Sequence, residues 1–590
     1  MAMGMAAAIA LPALCANIDA NEYQKRLKVY QTIEPLGATP LGESINLYTG
    51  EASFSNVDIR LEGTGPTIEI VRQFRRGDPA ETQEQVPNGF GDWVLVIPNI
   101  ETLTPGREGW QVGETTPSNA RCTQFGPMYS PEQGVYPRYG GVDLDKWWRG
   151  YQLTTPDGGK QELLKRAPSN LRKPATGNYP AVTYTQWQVG CLDTIQGGAS
   201  GDEAFVALAP DGTRYWLDKL AYSTYQGMAY MDGGDKAGTY VLTRRVGRLY
   251  ATQVQDRFGN SLTYSWTGDQ LTRIHASDGR HVVIEWAPAT NLIQAIKVMP
   301  GTPVERTWTY TYANNRLTQL TLPDASYWAF NLSASMGAPL LPYNVLGCFN
   351  ANPAPGGDGS GTGSSPTGQV DATATIRHPS GLIGTFNFAR RLHAQSSVPS
   401  YCPNDPGEVN ETGNPYFVSM ALVDKTLSGP GLTNQTWRYD YEIPRASLDR
   451  YCPTPTSCPT TAYVDVTDPA NAVTRYTYST RFDTLEGQLL RVDYNLVNGV
   501  ATKTDLTEYY TPYGLRPTAF PDGGTFGGGN WYKVDGLTPA RKRTTLLQGR
   551  AFVWEVPDTC GANGQGSGTL PCFDAYRRPT KITKSSAPAP

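Results

Sequence analysis

Apolar and polar positions alternate along much of this chain, and between residues 261 and 478 the apolar positions are often aromatic. Ser261 to Trp266 places Leu262, Tyr264 and Trp266 on one side and small polar residues on the other. Thr307 to Tyr312 does the same with Trp308, Tyr310 and Tyr312, and Gln435 to Tyr441 with Trp437, Tyr439 and Tyr441. Arg475 to Tyr478 is a shorter copy. A period of two over five or more residues predicts half-buried strands. Aromatic residues suit that pleated setting and stack across neighbouring strands.

Turn signals are interleaved with these strands. They occur at Pro156-Asp157-Gly158, Pro210-Asp211-Gly212, Ser277-Asp278-Gly279, Pro323-Asp324-Ala325, Pro379-Ser380-Gly381 and Pro521-Asp522-Gly523. Proline sets φ, aspartate bonds back to the backbone, and glycine takes positive φ. The following strands alternate again, as with Val282, Ile284 and Trp286 after His281. The repeating unit is therefore a hairpin, and the fold class is all-β.

Composition agrees. The chain has 590 residues, 62 glycines, 46 prolines and 34 tyrosines, with 18% charged residues. That argues against coiled coils and long charged helices. The net charge of −4 offers no basic surface for nucleic acid.

The clearest repeat copy runs from Asp256 to Arg280. Its markers are Asp256, Gly259, Asn260, Tyr264, Gly268, Leu271, Ile274, Asp278, Gly279 and Arg280. This stretch resembles the YD repeat of rearrangement-hotspot (RHS) proteins. Leu41 to Phe54, with Ile68 to Phe74 after it, looks like the segment that opens RHS shells. Gly91-Asp92-Trp93 looks like the strand that follows. Cys572 to Ile582 is similar to another common form of the repeat, with Arg577 where glycine is usual. The resemblance spans residues 40 to 583. It implies repeated hairpins in a curved spiral sheet, a cocoon-like shell that encloses a passenger. The shell is expected to be incomplete, with a bare edge near Phe573 to Ile582. The family's aspartate-bearing core motif, which precedes a released toxin domain, has no counterpart here, so no self-cleavage is assigned.

The expected organisation is a signal peptide at 1–16, an N-terminal opening segment with degenerate repeats at 17–250, and a repeat shell at 251–583. A Gly/Ser/Pro loop covers 352–368, and 584–590 is expected to be a disordered tail. Met3 to Ala16 is uncharged and apolar, too short to span a membrane and suited to a secretory h-region, though a basic n-region is missing. No other run is long enough to span a membrane.

Without Cys15, eight cysteines remain, an even number that favours disulfides in an exported chain. Cys452–Cys458 and Cys560–Cys572 each close a short Pro/Gly/Ser loop and are the candidate pairs. No zinc-ligand spacing occurs.

No nucleophile elbow, phosphate loop or HExxH is present, so no catalytic residue, cofactor or metal site is assigned. Asp143 and Asp145 beside Trp147 and Trp148 read as a turn with core aromatics rather than a glycosidase pair. Asp465, Asp468 and Asn471 are candidate calcium ligands but lack the glycine and closing glutamate of an EF-hand loop. The expected protein is thus not an enzyme. It is a secreted or cell-surface scaffold whose partner is a downstream or separate toxin or repeat chain. A second reading is an adhesin whose aromatic ladders bind glycans.

Overall fold

The computed structural model describes residues 39–74, 89–113, 116–129, 148, 150–166, 173–231, 239–332, 341–342, 370–397, 400–401, 411–412, 416–443, 445–447, 458–481, 485–510, 539–560, 571–574 and 576–589. The chain is all-β, with no helix among the described residues. The signal segment, the 352–368 loop, Cys348, Cys402, Cys452, the Pro521 turn and Asp143 to Trp147 lie outside the described residues.

A small sheet comes first. It holds β1 (Glu43–Ile45), β2 (Ala52–Leu61), β3 (Ile68–Phe74), β4 (Gly89–Phe90) and β5 (Trp93–Leu95), in the order β1-β2-β3-β5-β4. In β3, Ile68, Ile70, Val71, Arg72 and Phe74 are buried and Glu69 and Gln73 are half-buried, so the strand is covered on more than one side.

Eight strands then close a barrel. They are β6 (Asn99–Pro105), β7 (Tyr151–Thr154), β8 (Lys160–Lys165), β9 (Ala181–Thr183), β10 (Gln188–Leu192), β11 (Ala204–Leu208), β12 (Arg214–Met231) and β13 (Thr239–Gln255). Each pairs antiparallel with the next, and β13 returns to β6 from Arg244↔Pro105 to Tyr250↔Asn99. Closure removes the free edges that an open sheet would show. The barrel core also takes in Trp110, Cys122, Phe125 and Met128 from the β6–β7 connection. Cys122–Cys191 fastens that connection to β10.

The end of β13 leaves the barrel. Gln253 to Gln255 pair with β14 rather than β6, and the sheet runs on from there. Its strands are β14 (Ser261–Thr267), β15 (Gln270–Ala276), β16 (His281–Trp286), β17 (Ile293–Val298), β18 (Arg306–Ala313), β19 (Arg316–Thr321) and β20 (Tyr327–Asn331). After these come β21 (Leu341–Pro342), β22 (Ala372–Arg377), β23 (Ile383–Ala394), β24 (Ser400–Tyr401), β25 (Glu411–Thr412), β26 (Tyr416–Gly429) and β27 (Leu432–Tyr441). The last are β28 (Thr461–Thr467), β29 (Val473–Ser479), β30 (Leu489–Tyr494), β31 (Lys503–Tyr509), β32 (Ala540–Leu547), β33 (Arg550–Glu555) and β34 (Thr583–Pro588). Successive strands pair, except that β20 joins β22, β23 joins β26, and β24–β25 form a separate pair. Tyr576 brings the C-terminal segment back onto the barrel, buried with Leu164 of β8 and Val182 of β9.

The turns follow from their chemistry. Gly158, Gly212, Gly279 and Gly381 all have φ between 81° and 94°, and Ala325 takes φ 66° at the equivalent place. In four of these turns an aspartate oxygen accepts an amide two residues on: Asp157 from Gly159, Asp211 from Thr213, Asp278 from Arg280 and Asp324 from Ser326. Arg577, standing where glycine is usual, has φ 60°.

Pairing register slips at Trp266, Trp286, Tyr312 and Tyr509, and at each the aromatic tip reaches back to a carbonyl of the preceding strand. Trp266 Nε1 donates to Ala251 O at 3.3 Å and Trp286 Nε1 to Leu271 O at 2.9 Å. Tyr312 Oη donates to Ile293 O at 2.7 Å, and Tyr509 Oη to Leu489 O at 3.0 Å. A bulge disrupts the ladder locally, and a partly buried aromatic needs a partner for its polar tip, so each serves the other.

Three expectations are corrected. Residues 584–590 are not a disordered tail as a whole: Thr583–Pro588 forms β34 and pairs with β33 along its length. Among the described residues the sheet therefore ends at β34 and not at Phe573–Ile582, where Phe573 and Pro579 form an isolated bridge. The division at 250/251 falls inside β13, because that strand serves the barrel and the continuing sheet at once.

Candidate functional site: the covered face of the sheet

The small sheet β1–β5 lies on the apolar face of β13–β29 and acts as its cover. Phe54, Ile70, Phe90 and Trp93 of the cover share one core with Leu262, Ile284, Trp308, Leu320, Phe330, Phe386 and Val464 of the wall. The aromatic ladder points into this layer. Trp308, Tyr310 and Tyr439 are buried, and Tyr264, Trp266, Tyr312, Trp437 and Tyr441 are half-buried against the same core.

The repeat-motif residues divide by role. Leu271 and Ile274 are buried in that core, and Tyr264 packs at its margin. Gly268 has φ 56° in the β14–β15 hairpin. Asp256 Oδ1 accepts the amides of Phe258 and Asn260, and Gly259 has φ 91°, which builds the β13–β14 turn. Gly279 completes the β15–β16 turn.

Asn260, Asp278 and Arg280 grip the cover. Asn260 Nδ2 donates to Thr64 O at 3.2 Å, and Thr64 N donates to Asp278 Oδ2 at 3.1 Å. Arg280 donates to Leu61 O and, at 3.1 Å, to Pro66 O. A Cβ on Gly63 would lie 2.2 Å from Arg280 Nε, and one on Gly65 2.6 Å from Asn260 Cβ. The β2–β3 connection is thus held tightly by the motif.

At the centre of the cover, the fully buried Arg72 makes two bonds to Asp58, Nε–Oδ2 at 3.0 Å and Nη2–Oδ1 at 3.1 Å. Tyr310 Oη of the wall donates to Asp58 Oδ2 at 3.3 Å. Burial raises the Asp58 pKa, and Arg72 opposes that shift. The guanidinium carbon lies 4.2 Å from the Trp93 ring centre and 4.5 Å from that of Phe330. Arg72 Nη1 has no hydrogen-bond acceptor among the described residues, and the adjoining Trp93 and Phe330 rings account for its tolerance there.

At the far end, Lys425 Nζ meets Glu43 Oε1 at 3.2 Å, with both side chains buried and the Trp437 ring 4.0 Å from the ammonium. The cover turn Asn46–Gly50 is seated on β26: a Cβ on Gly50 would lie 2.3 Å from Ala421 Cβ. Ser419 Oγ donates to Thr49 O at 2.6 Å, and His393 Nε2 lies 2.6 Å from the same hydroxyl. Because the hydroxyl gives its proton to Thr49, the ring nitrogen is the donor to it. Burial, with Arg391 nearby, lowers the His393 pKa to about 4.

The calcium candidates are spent on the fold. Asp465 is paired with Arg475 at 2.7 Å. Asp468 Oδ1 accepts the amides of Ala470 and Ala472, with Asn471 at φ 64°, which is the repeat's own turn. Among the described residues, no group of three or more His, Cys, Asp or Glu is placed to hold a metal ion. Trp148 is buried, and its Nε1 donates to Thr102 Oγ1. Cys560 and Cys572 are joined by a disulfide, and Cys458 is disulfide-bonded as well.

The buried ionic residues were not singled out from sequence. Their one signal is a charge at an inward position of an alternating strand, as Arg72 within Ile68–Phe74.

The same face is still buried at Val492 of β30 and opens to solvent beyond it. Register carries it from Tyr441 through Val464, Tyr476, Val492, Asp505 and Thr545 to Phe552. Phe552 is 46% and Leu547 39% exposed.

No family model matches the chain, and no curated protein matches it. Among solved structures the chain is similar to the pore of the Photorhabdus luminescens Tc holotoxin, at 9% identity and a TM-score of 0.24. That match covers 93% of this chain and 35% of the other, so this chain spans about a third of that one's length.

Proposed function

We propose that this chain is an exported RHS-repeat scaffold, a structural β-shell that encloses or presents a passenger polypeptide. The observation that carries this reading is the continuation of one sheet face beyond its own cover. From β14 to β29 that face is packed against β1–β5, and from β31 to β34 it presents Leu547, Phe552 and Trp554 with no cover among the described residues. A sheet face of this kind is normally packed against another layer. The hairpin repeat and the grip of Asn260, Asp278 and Arg280 on the Gly63–Gly65 connection agree with a self-assembled container, as does the closed barrel at one end. The disulfides suit an oxidising, extracytoplasmic location.

The test is protection. An unstructured reporter with trypsin sites, joined after Pro590, should resist trypsin while the shell is folded and be cut once urea unfolds it. Cleavage at the rate of the free reporter would overturn the enclosing role. Glycan-array binding that is lost in Phe552→Ser, with folding retained, would favour the adhesin instead.

A further inference from the structure

We propose that the bare face of β31–β34, with the edge of β34 beside it, binds an extended acidic polypeptide that joins the sheet as an added strand. This rests on the scaffold reading and names the chemistry of the partner.

The charge on this face is one-sided. Opposed pairs in the ladder share a face, and register places Tyr494, Lys503, Leu547, Arg550 and Pro588 in one row. Arg543, Trp554 and Lys584 lie four residues along on the same side. Lys503, Arg543, Arg550 and Lys584 thus stand on this face, and Asp505 is the acid among them. Asp505 is taken by Lys503 at 2.7 Å. Arg543 lies over the Trp554 ring at 5.4 Å, and Arg550 donates to Ser586 at 3.3 Å. No carboxylate pairs with Arg543, Arg550 or Lys584 among the described residues. The reverse side is balanced, with Lys542 between Glu508 and Glu555.

The edge selects a polypeptide. β34 pairs with β33 and with no other strand among the described residues, and all six of its residues are exposed. Its outer backbone groups offer a new strand a ladder of hydrogen bonds. In such a strand alternate side chains fall on the cationic face. Carboxylates at every second position would meet Lys584 of β34 and the Arg550 guanidinium of β33, which already extends over β34 to Ser586.

The probe is a fluorescein-labelled peptide of about eight residues alternating glutamate and valine, a common strand length. Its controls are the lysine–valine peptide and a single-stranded oligothymidine. Anisotropy with the full chain at low salt should show binding of the glutamate peptide that weakens as salt rises. The double variant R550E/K584E should lose roughly tenfold in affinity, and K542E on the reverse side should change nothing. Circular dichroism checks that the exposed substitutions leave the fold intact. Equal binding of the lysine peptide, tighter binding of oligothymidine, or equal loss with K542E would each overturn the proposal. Loss of peptide binding with reporter protection intact sinks this proposal alone; the converse sinks only the enclosing role.

Discussion

Lys425 and Glu43 are 382 residues apart in sequence, yet Lys425 Nζ lies 3.2 Å from Glu43 Oε1 in a buried pair. One residue belongs to the cover and the other to the wall, so this pair fixes where the first strand lands on a sheet formed much later in the chain. Burial lowers the Lys425 pKa and Glu43 opposes that shift, so each charge depends on the other.

Breaking that pair from one side leaves an uncompensated buried charge. Lys425→Met should cost about 3–5 kcal/mol. Glu43→Leu combined with Lys425→Met should cost clearly less than the two single changes added together. Urea unfolding of the three variants measures both quantities. Additive losses would show that the pair does not hold the cover.

His393 makes the cover sensitive to acid. Its folded-state pKa of about 4 lies below the ordinary value near 6.5, so folding favours the neutral ring. The stability this brings is complete above about pH 6.5 and is lost as pH falls toward 4, by roughly 2–3 kcal/mol. His393→Gln keeps a donor for Ser419 and cannot titrate in that window. Urea midpoints at pH 7.5 and pH 4.5 should therefore fall further for the parent chain than for the variant. Parallel falls would place the acid sensitivity elsewhere.

Ala325 holds φ 66° in an exposed turn where the equivalent positions carry glycine. A left-handed conformation costs an L-residue roughly 1–2 kcal/mol, partly offset by the greater unfolded-state freedom of glycine. Ala325→Gly should raise stability by about 0.5–1 kcal/mol in urea unfolding. A loss of stability would mean that the alanine methyl makes a contact worth more than the strain.

The two disulfides should differ in worth. Cys122–Cys191 closes 69 residues and Cys560–Cys572 closes 12. Loop-closure entropy gives about 4 kcal/mol for the first and about 3 kcal/mol for the second. Cys191→Ser should lower the unfolding midpoint more than Cys560→Ser does. The opposite order would show that the β6–β7 connection is held by its packing and not by its bridge.

The sequence alone determined the local architecture. Alternation in Thr307–Tyr312 and Gln435–Tyr441 is a backbone property of strands, and the Pro-Asp-Gly turns carry their own φ and hydrogen-bond requirements, so hairpins could be read without any distant partner. Leu271 and Ile274 were legible as inward residues for the same reason. Tertiary structure alone decided what covers that face. The alternation of Ile68–Phe74 does not say that Arg72 will be clamped by Asp58 against the Trp93 and Phe330 rings, because Phe330 arrives from a strand more than 250 residues later. Nor could the motif at Asn260, Asp278 and Arg280 reveal its hold on Gly63–Gly65, since those bonds form only when the cover docks. The closure of β13 on β6 and the pairing of β34 likewise depend on register between distant segments, and Thr583–Pro588 has a composition suited to a tail until β33 supplies its ladder. Short-range chemistry wrote the hairpins; long-range packing chose their neighbours.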